Sequence, residues 1–211
     1  AGGRTRINSA FFFYNYEGRQ YQATDPELFQ GGVSNIPESE IYGAEVELST
    51  YLTDSMILDA NLSWIETEIT ADHFALDNVQ SDIATNALLA QGVNQFSDQV
   101  QIARAAEITN VKGNELAKTP NFTANLALTW EGYVENWGEL SNSLQYIYRG
   151  DFKHRMFNNP LTDMVPDYEV LDFVLGFTPQ SNNDLRFEFV AKNLTDEDGT
   201  NARFTDVFGV G

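Results

Sequence analysis

The stretch Met56–Ile69, MILDANLSWIETEI, alternates almost without fault. Met56, Leu58, Ala60, Leu62 and Trp64 share one parity, and Ile57, Asp59, Asn61, Ser63, Ile65 and Thr67 share the other. Successive side chains of a strand point to opposite faces, so one face here is dry and the other mostly wet. What the dry face touches decides the fold. It is either a second sheet, as in a soluble sandwich, or lipid.

The same alternation recurs along the chain. IYGAEVELSTYL sets Tyr42, Ala44, Val46 and Leu48 against Glu45, Glu47 and Ser49. NFTANLALTWE sets Phe122, Ala124, Leu126, Leu128 and Trp130 against Asn121, Thr123, Asn125 and Thr129. LSNSLQYIYRG is looser, with Leu140, Leu144, Tyr146 and Tyr148 opposite Ser141, Ser143, Gln145 and Arg149. Leu171, Phe173, Leu175 and Phe177 mark another dry face, and Leu185, Phe187, Phe189 and Ala191 one more, opposite Arg186, Glu188 and Lys192. The opening run TRINSAFFFYNYEGRQYQ is apolar on both faces, which leaves its orientation open. The rule predicts seven strands, over 4–22, 36–52, 56–70, 119–131, 139–150, 166–178 and 184–193.

The connections decide between the two environments. TDS, GYVENWGE and TPQSNND are short and built from turn residues, whereas 23–37, 71–117, 151–165 and the tail from 194 are longer. Short and long alternate, so an up-and-down meander collects tight turns at one end and long loops at the other. A soluble sandwich has no physical reason to sort its loops. An outer-membrane barrel does, with short periplasmic turns and longer outside loops. About ten residues at ~3.4 Å each, tilted near 45°, span roughly 24 Å, against an apolar band of about 25 Å. Matching faces across the turn at Asp54 pairs Ala44 with Trp64, Val46 with Leu62 and Glu47 with Asn61. Trp130, Tyr51 and Phe177 fall at the tight-turn end, and Tyr42, Trp64 and Tyr148 toward the long-loop end, as two interfacial girdles would.

The totals remove several classes. A net charge of −19 over 211 residues argues against nucleic acid as a partner, because phosphate neutralisation needs clustered Lys and Arg. There is no cysteine, hence no disulfide and no thiolate metal site. No apolar window is long enough for a transmembrane helix, which says nothing about a barrel. The opening AGGRTRINSA carries no initiator Met and no apolar signal region, so an export signal is expected upstream. In the long segment 71–117, SDIATNALLAQ and FSDQVQIARAAEI have Ser–Asp starts that predict one or two capped helical turns.

Three local patterns resemble the TonB-dependent receptors. FVAKNLTDEDGTNARF ends in a kNLTDe-like exit, Lys192, Asn193, Leu194, Thr195, Asp196 and Glu197. Gly43, Glu45 and Glu47 resemble that family's G-x-E-x-E strand, and Gly113, Leu116 and Pro120 its G-x-x-L-x-x-x-P strand entry. The resemblance implies an all-β, antiparallel up-and-down meander that is part of a 22-stranded transmembrane β-barrel. It also implies a plug domain, energy from the TonB complex, and import of a scarce ligand of the siderophore, cobalamin or saccharide class. At about thirty residues per strand, 22 strands need roughly 660 residues, so 1–211 is expected to be the C-terminal portion of the barrel without its last strand. Plug and TonB-binding segments are expected in an N-terminal region outside this sequence. Seven strands alone would leave two open edges in hydrocarbon.

Within that picture Glu45, Glu47, Asp59, Asn61, Asn125 and Arg149 face the lumen. Paired carboxylates can act as acid and base, but on a polar wall they solvate water or plug, so no enzyme is expected. The histidines have neither cysteine partners nor H-x-x-x-H spacing, so no metal site or cofactor is expected. DEDGTN has its glycine in the wrong place for an EF-hand. His73, Phe74, Arg104, Lys153, His154, Arg155 and Arg203 are the loop candidates for ligand contact, and basic loop residues could equally meet lipopolysaccharide phosphates. A passive outer-membrane porin and a secreted soluble β-sandwich binding module are the rival readings.

Overall fold

The alternating runs form one antiparallel sheet. The structure, a computed structural model, describes residues 3–24, 31–182 and 184–202. Its elements in chain order are β1 (Thr5–Thr24), β2 (Gly31–Tyr51), β3 (Met56–Ile69), β4 (Phe74–Leu76), α1 (Asn78–Ala90), α2 (Asp98–Ala105), β5 (Ile108–Asn110), β6 (Phe122–Val134), β7 (Gly138–Arg149), β8 (Phe152–Lys153), β9 (Met164–Val165), β10 (Tyr168–Pro179) and β11 (Phe187–Ala191). The seven long strands lie in the order β1-β2-β3-β6-β7-β10-β11, a plain meander. β4 pairs only with β5 and β8 only with β9, so the small strands belong to the long connections.

Register follows parity. Ala44 opposes Trp64, Val46 opposes Leu62 and Glu47 opposes Asn61, as the matched faces demand. The orientation of β1, open from sequence, is set by its partner. Ile7, Phe11 and Phe13 oppose Leu48, Ala44 and Tyr42 on the apolar face, while the Asn8 amide donates to Glu47 at 3.2 Å on the polar one. Phe12, on the polar side, lies over Gly43. A Cβ there would sit 2.7 Å from Phe12 Cζ and would collide with the Trp64 carbonyl oxygen. That close approach is the reason for glycine at this point of the G-x-E-x-E strand. Tyr51 does not join the apolar girdle: it opposes Ile57, on the face that carries Asp59.

No second layer covers the apolar face among the described residues. Among the described residues, Leu126 and Phe173 have only their sheet neighbours, because no strand or helix packs across them. Phe11 is 83% exposed and Phe189 61%. A soluble sandwich would have buried both. The compact apolar cluster lies elsewhere, at the long-loop end, where Ile36, Ile69, Ala75, Val111, Leu116 and Met156 are buried together.

Differences from expectation have local causes. β2 starts at Gly31, in a stretch whose Gly, Ser and Pro read as loop, because the ladder to Gln20–Thr24 overrides propensity. Its last partner in β3 faces Ser39, so Gly31–Glu38 has β1 as its only ladder partner over about 27 Å at ~3.4 Å per residue, while Ile36 packs into the loop cluster. β11 begins at Phe187 because Asp184 and Leu185 are held in a turn by hydrogen bonds to Asn182. α1 starts four residues before the expected Ser81: Asp77 is its cap, accepting from the Val79 and Gln80 amides at 3.1 and 3.3 Å, and Ser81 is buried inside the helix. Its 13 residues exceed the one or two turns expected. Ser97 caps α2 as its Ser–Asp start suggests.

The exit of β11 explains the kNLTDe pattern. Asn193 takes a left-handed φ of 51°. Its side-chain oxygen accepts from the Glu197 amide and the Thr195 hydroxyl, and its amide group donates to the Glu197 carbonyl at 3.1 Å. Asn tolerates this conformation and closes the turn itself. The backbone is thereby turned off the sheet, with the Asn193 N–H donating to Asp172 at 2.8 Å.

Candidate functional site

Alternation gathers one polar wall. Glu45 and Glu47 of β2, Asn61 of β3, Asn125 of β6 and Arg149 of β7 line a trough of about 670 Å³ on the polar face of the sheet. Asp59 shares the face but lies nearer the tight-turn end and outside the trough. Cross-strand bonds tie the wall together: Gln145 donates to Asn125 at 3.0 Å, and Asn8 to Glu47. Such a wall offers hydrogen bonds and negative charge to whatever fills it. Among the described residues no group of His, Asp and Glu is arranged to hold a metal ion.

At the long-loop end, 70–121 and 150–167 are bound into one body. The Leu116 N–H donates to the Thr67 hydroxyl at 2.9 Å, which anchors the first loop to β3. Asn158 and Glu115 exchange side-chain and backbone bonds, the Asn114 amide donates to the Met156 carbonyl, and the Lys118 N–H to that of Lys153. Arg155 is the centre of the junction. It meets Asp77 at 2.6 Å and Asp163 at 2.6 Å, and lies over the Phe157 ring.

The loop candidates therefore separate. Arg155 is engaged inside the protein, with partners that its sequence neighbourhood does not reveal. His73 accepts from or donates to the Tyr21 hydroxyl at 2.8 Å, tying the first loop to the β1–β2 hairpin. Lys153 points its ammonium at the Met164 sulfur, and the His154 N–H donates to the Asp163 carbonyl at 2.7 Å. Burial raises the pKa of Asp82 above the ordinary carboxylate value, and Arg104, in the last turn of α2, offsets part of that rise. Phe74 is the one most open to solvent, at 67%. Arg203 lies outside the described residues. Residues that sequence reasoning missed are Tyr21, Asp77 and Asp163, together with Phe152 and Tyr168, whose rings lie under Arg149.

Burial holds the His73 pKa below the ordinary histidine value. A neutral ring accepts the Tyr21 proton, and a protonated ring cannot. Between the lowered folded pKa and the ordinary value the unfolded loop binds more protons, so stability there rises with pH. The tie is complete above the ordinary histidine pKa and is lost as pH falls through the folded one. Hydrogen exchange of the Asn110 and Val111 amides should quicken, after correction for intrinsic rates, as pH drops from about 8 to 5. His73→Gln should flatten that dependence, although His154, also lowered by burial, keeps its own share. An unchanged profile in His73→Gln would discard this assignment.

The comparisons agree on the fold. The sequence model for "TonB dependent receptor-like, beta-barrel" matches residues 1–194. No curated protein sequence matches the chain. Among solved structures, the ferric yersiniabactin uptake receptor FyuA from Yersinia pestis superposes with a TM-score of 0.65 at 14% identity, over 98% of this chain and 25% of its own. The siderophore receptor PiuA from Acinetobacter baumannii gives 0.61 at 17% identity, over 92% of this chain and 22% of its own. The copper transporter OprC gives 0.56 at 12% identity, over 95% and 25%. The chain thus spans about a quarter of the length of these structures. With a bare apolar face, a polar trough behind it and a family match over nearly its whole length, the chain belongs to the TonB-dependent receptor-like β-barrel family.

Proposed function

We propose that the full-length protein is an outer-membrane receptor that binds a scarce ligand outside the cell and imports it to the periplasm with energy from TonB. The observation that carries this is the family match over residues 1–194 on a sheet whose apolar face has no covering layer. In this reading that face meets acyl chains, and the wall of Glu45, Glu47, Asp59, Asn61, Asn125 and Arg149 faces the lumen and the plug of the same full-length chain. The segment 71–117 is an extracellular loop, and lipopolysaccharide surrounds the long-loop rim. The ligand favoured is a ferric siderophore, because PiuA is described as a siderophore receptor and FyuA as a ferric yersiniabactin uptake receptor. Cobalamin and saccharides keep the same architecture, and OprC, a copper transporter, has a similar fold.

The test compares uptake of radiolabelled iron, supplied on a panel of siderophores, by cells with and without the full-length gene. Uptake that needs both the gene and TonB, and that a protonophore stops, is the expected result. Gene-dependent uptake that persists without TonB would instead assign a passive porin-type channel.

A further inference from the structure

Among the described residues Arg149 is the only cation lining the trough. It stands at the long-loop end of β7, with its guanidinium carbon over two rings, 4.3 Å from the centre of Tyr168 and 4.8 Å from that of Phe152. Aromatic faces orient a guanidinium and leave its N–H edge for recognition. That edge meets only neutral oxygen. Nη1 donates to Asn201 Oδ1 at 3.0 Å, and Nη2 donates to the Thr200 carbonyl at 2.7 Å and to that of Pro166 at 3.5 Å. Nε is buried with no hydrogen-bond partner among the described residues. Among the described residues Arg149 forms no ion pair, whereas Arg4 and Arg186 each have one and Arg155 has two.

Two of the three oxygens on Arg149, those of Thr200 and Asn201, come from a strap. After the turn at Asn193 the chain runs back over β10, where the Thr195 hydroxyl donates to the Glu169 carbonyl. Gly199 then passes so near Tyr168 that a Cβ would touch the ring at 3.8 Å. Two adjacent strap residues thus place one oxygen on each terminal nitrogen of the fork, the arrangement a carboxylate would make with its two oxygens.

We propose that the edge of Arg149 is a carboxylate-binding position occupied here by the Thr200–Asn201 strap, and that a carboxylate ligand displaces the strap from the fork at the long-loop end of the trough. The exchange replaces neutral acceptors by charged ones on a cation that has no ion-pair partner among the described residues, and charge-assisted bonds are roughly twice as strong as neutral ones. Asp196, Glu197 and Asp198 on the strap repel an incoming anion, which favours the strap's departure once the fork is taken. Glu45 and Glu47 along the same trough repel it too, so the carboxylate end of a ligand stops at the rim while donors or cations reach deeper. The ligand class rests on the uptake reading. The test below follows the strap, so it stands or falls apart from transport.

The full-length receptor in detergent is spin-labelled at Asp198→Cys, and label mobility is followed by electron paramagnetic resonance during citrate titration. Citrate should mobilise the label saturably, and sodium chloride at equal ionic strength should not. Arg149→Gln should give a mobile label without citrate and no further response. Asn201→Ala should lower the citrate midpoint about fivefold, the weight of one neutral hydrogen bond. Heat-modifiable migration on gels reports whether each variant is folded. Where Arg149→Gln fails it, Arg149→Lys serves, and should raise the midpoint because the fork is lost. A label that stays immobile in citrate, responds equally to chloride, or still responds in Arg149→Gln would overturn the proposal.

Discussion

Arg155→Ala is expected to release the outer loops while leaving the sheet folded. The side chain joins Asp77, which is 6% exposed, and Asp163, which is 0% exposed, and is itself only 18% exposed. Removing it strands two desolvated carboxylates with no counter-charge, a loss of roughly 3–5 kcal/mol in buried networks. Asp77 also caps α1, so the start of that helix loosens with the junction. Hydrogen exchange should show amide protection falling by about 10²–10⁴-fold at Ser81 and Asp163 if these open through the local unit. Protection at Leu126 and Leu144, held by the strand ladder, should not change. Arg155→Lys should fall between, because a single ammonium cannot serve both carboxylates as a fork does. Unchanged protection at Ser81 in Arg155→Ala would show that the two loops are held by their other contacts. Equal loss at Leu126 would show that they are not a separate unit.

The role of Arg155 also marks where sequence reasoning stops. Its charge and loop position made it a candidate for ligand contact, yet its partner Asp77 lies 78 residues away, a pairing that no local pattern contains. Arg149 was legible as a polar-wall residue by parity alone, but its contact with Asn201 spans 52 residues and depends on the turn at Asn193. By contrast the strands, their faces and the β2–β3 register were readable, because period-2 alternation and tight turns are local and mutually constraining. The faces of β1 do not follow from alternation. Its apolar residues occupy both parities, and only the ladder to β2 separates Phe11 and Phe13 from Phe12. The helix start was missed because Asp77–Asn78–Val79 lacks the apolar spacing that Ser81–Asp82 precedes, while the cap itself is an ordinary one.

Leu126→Arg measures directly what the apolar face touches. Leu126 sits midway along β6, opposite Ala60 and Tyr146, with no other layer above it. In a bilayer an arginine at this depth costs about 2–4 kcal/mol, falling to about 0–1 near the interfaces. The full-length protein refolded into phospholipid vesicles should therefore lose urea stability by that amount in Leu126→Arg. Leu140→Arg, on the same face but opposite Gly132 and Phe177 near the tight turns, should lose far less. Asn125→Arg, one residue away on the polar wall, should also be mild. If the apolar face were open to water the Leu126 and Leu140 substitutions would both be nearly silent, since nothing in the sheet would need to desolvate the charge. Dependence on depth along one face, absent on the other, is a property of hydrocarbon solvent that neither a soluble sandwich nor a bare sheet reproduces. A flat profile would remove the membrane assignment and with it the proposed import.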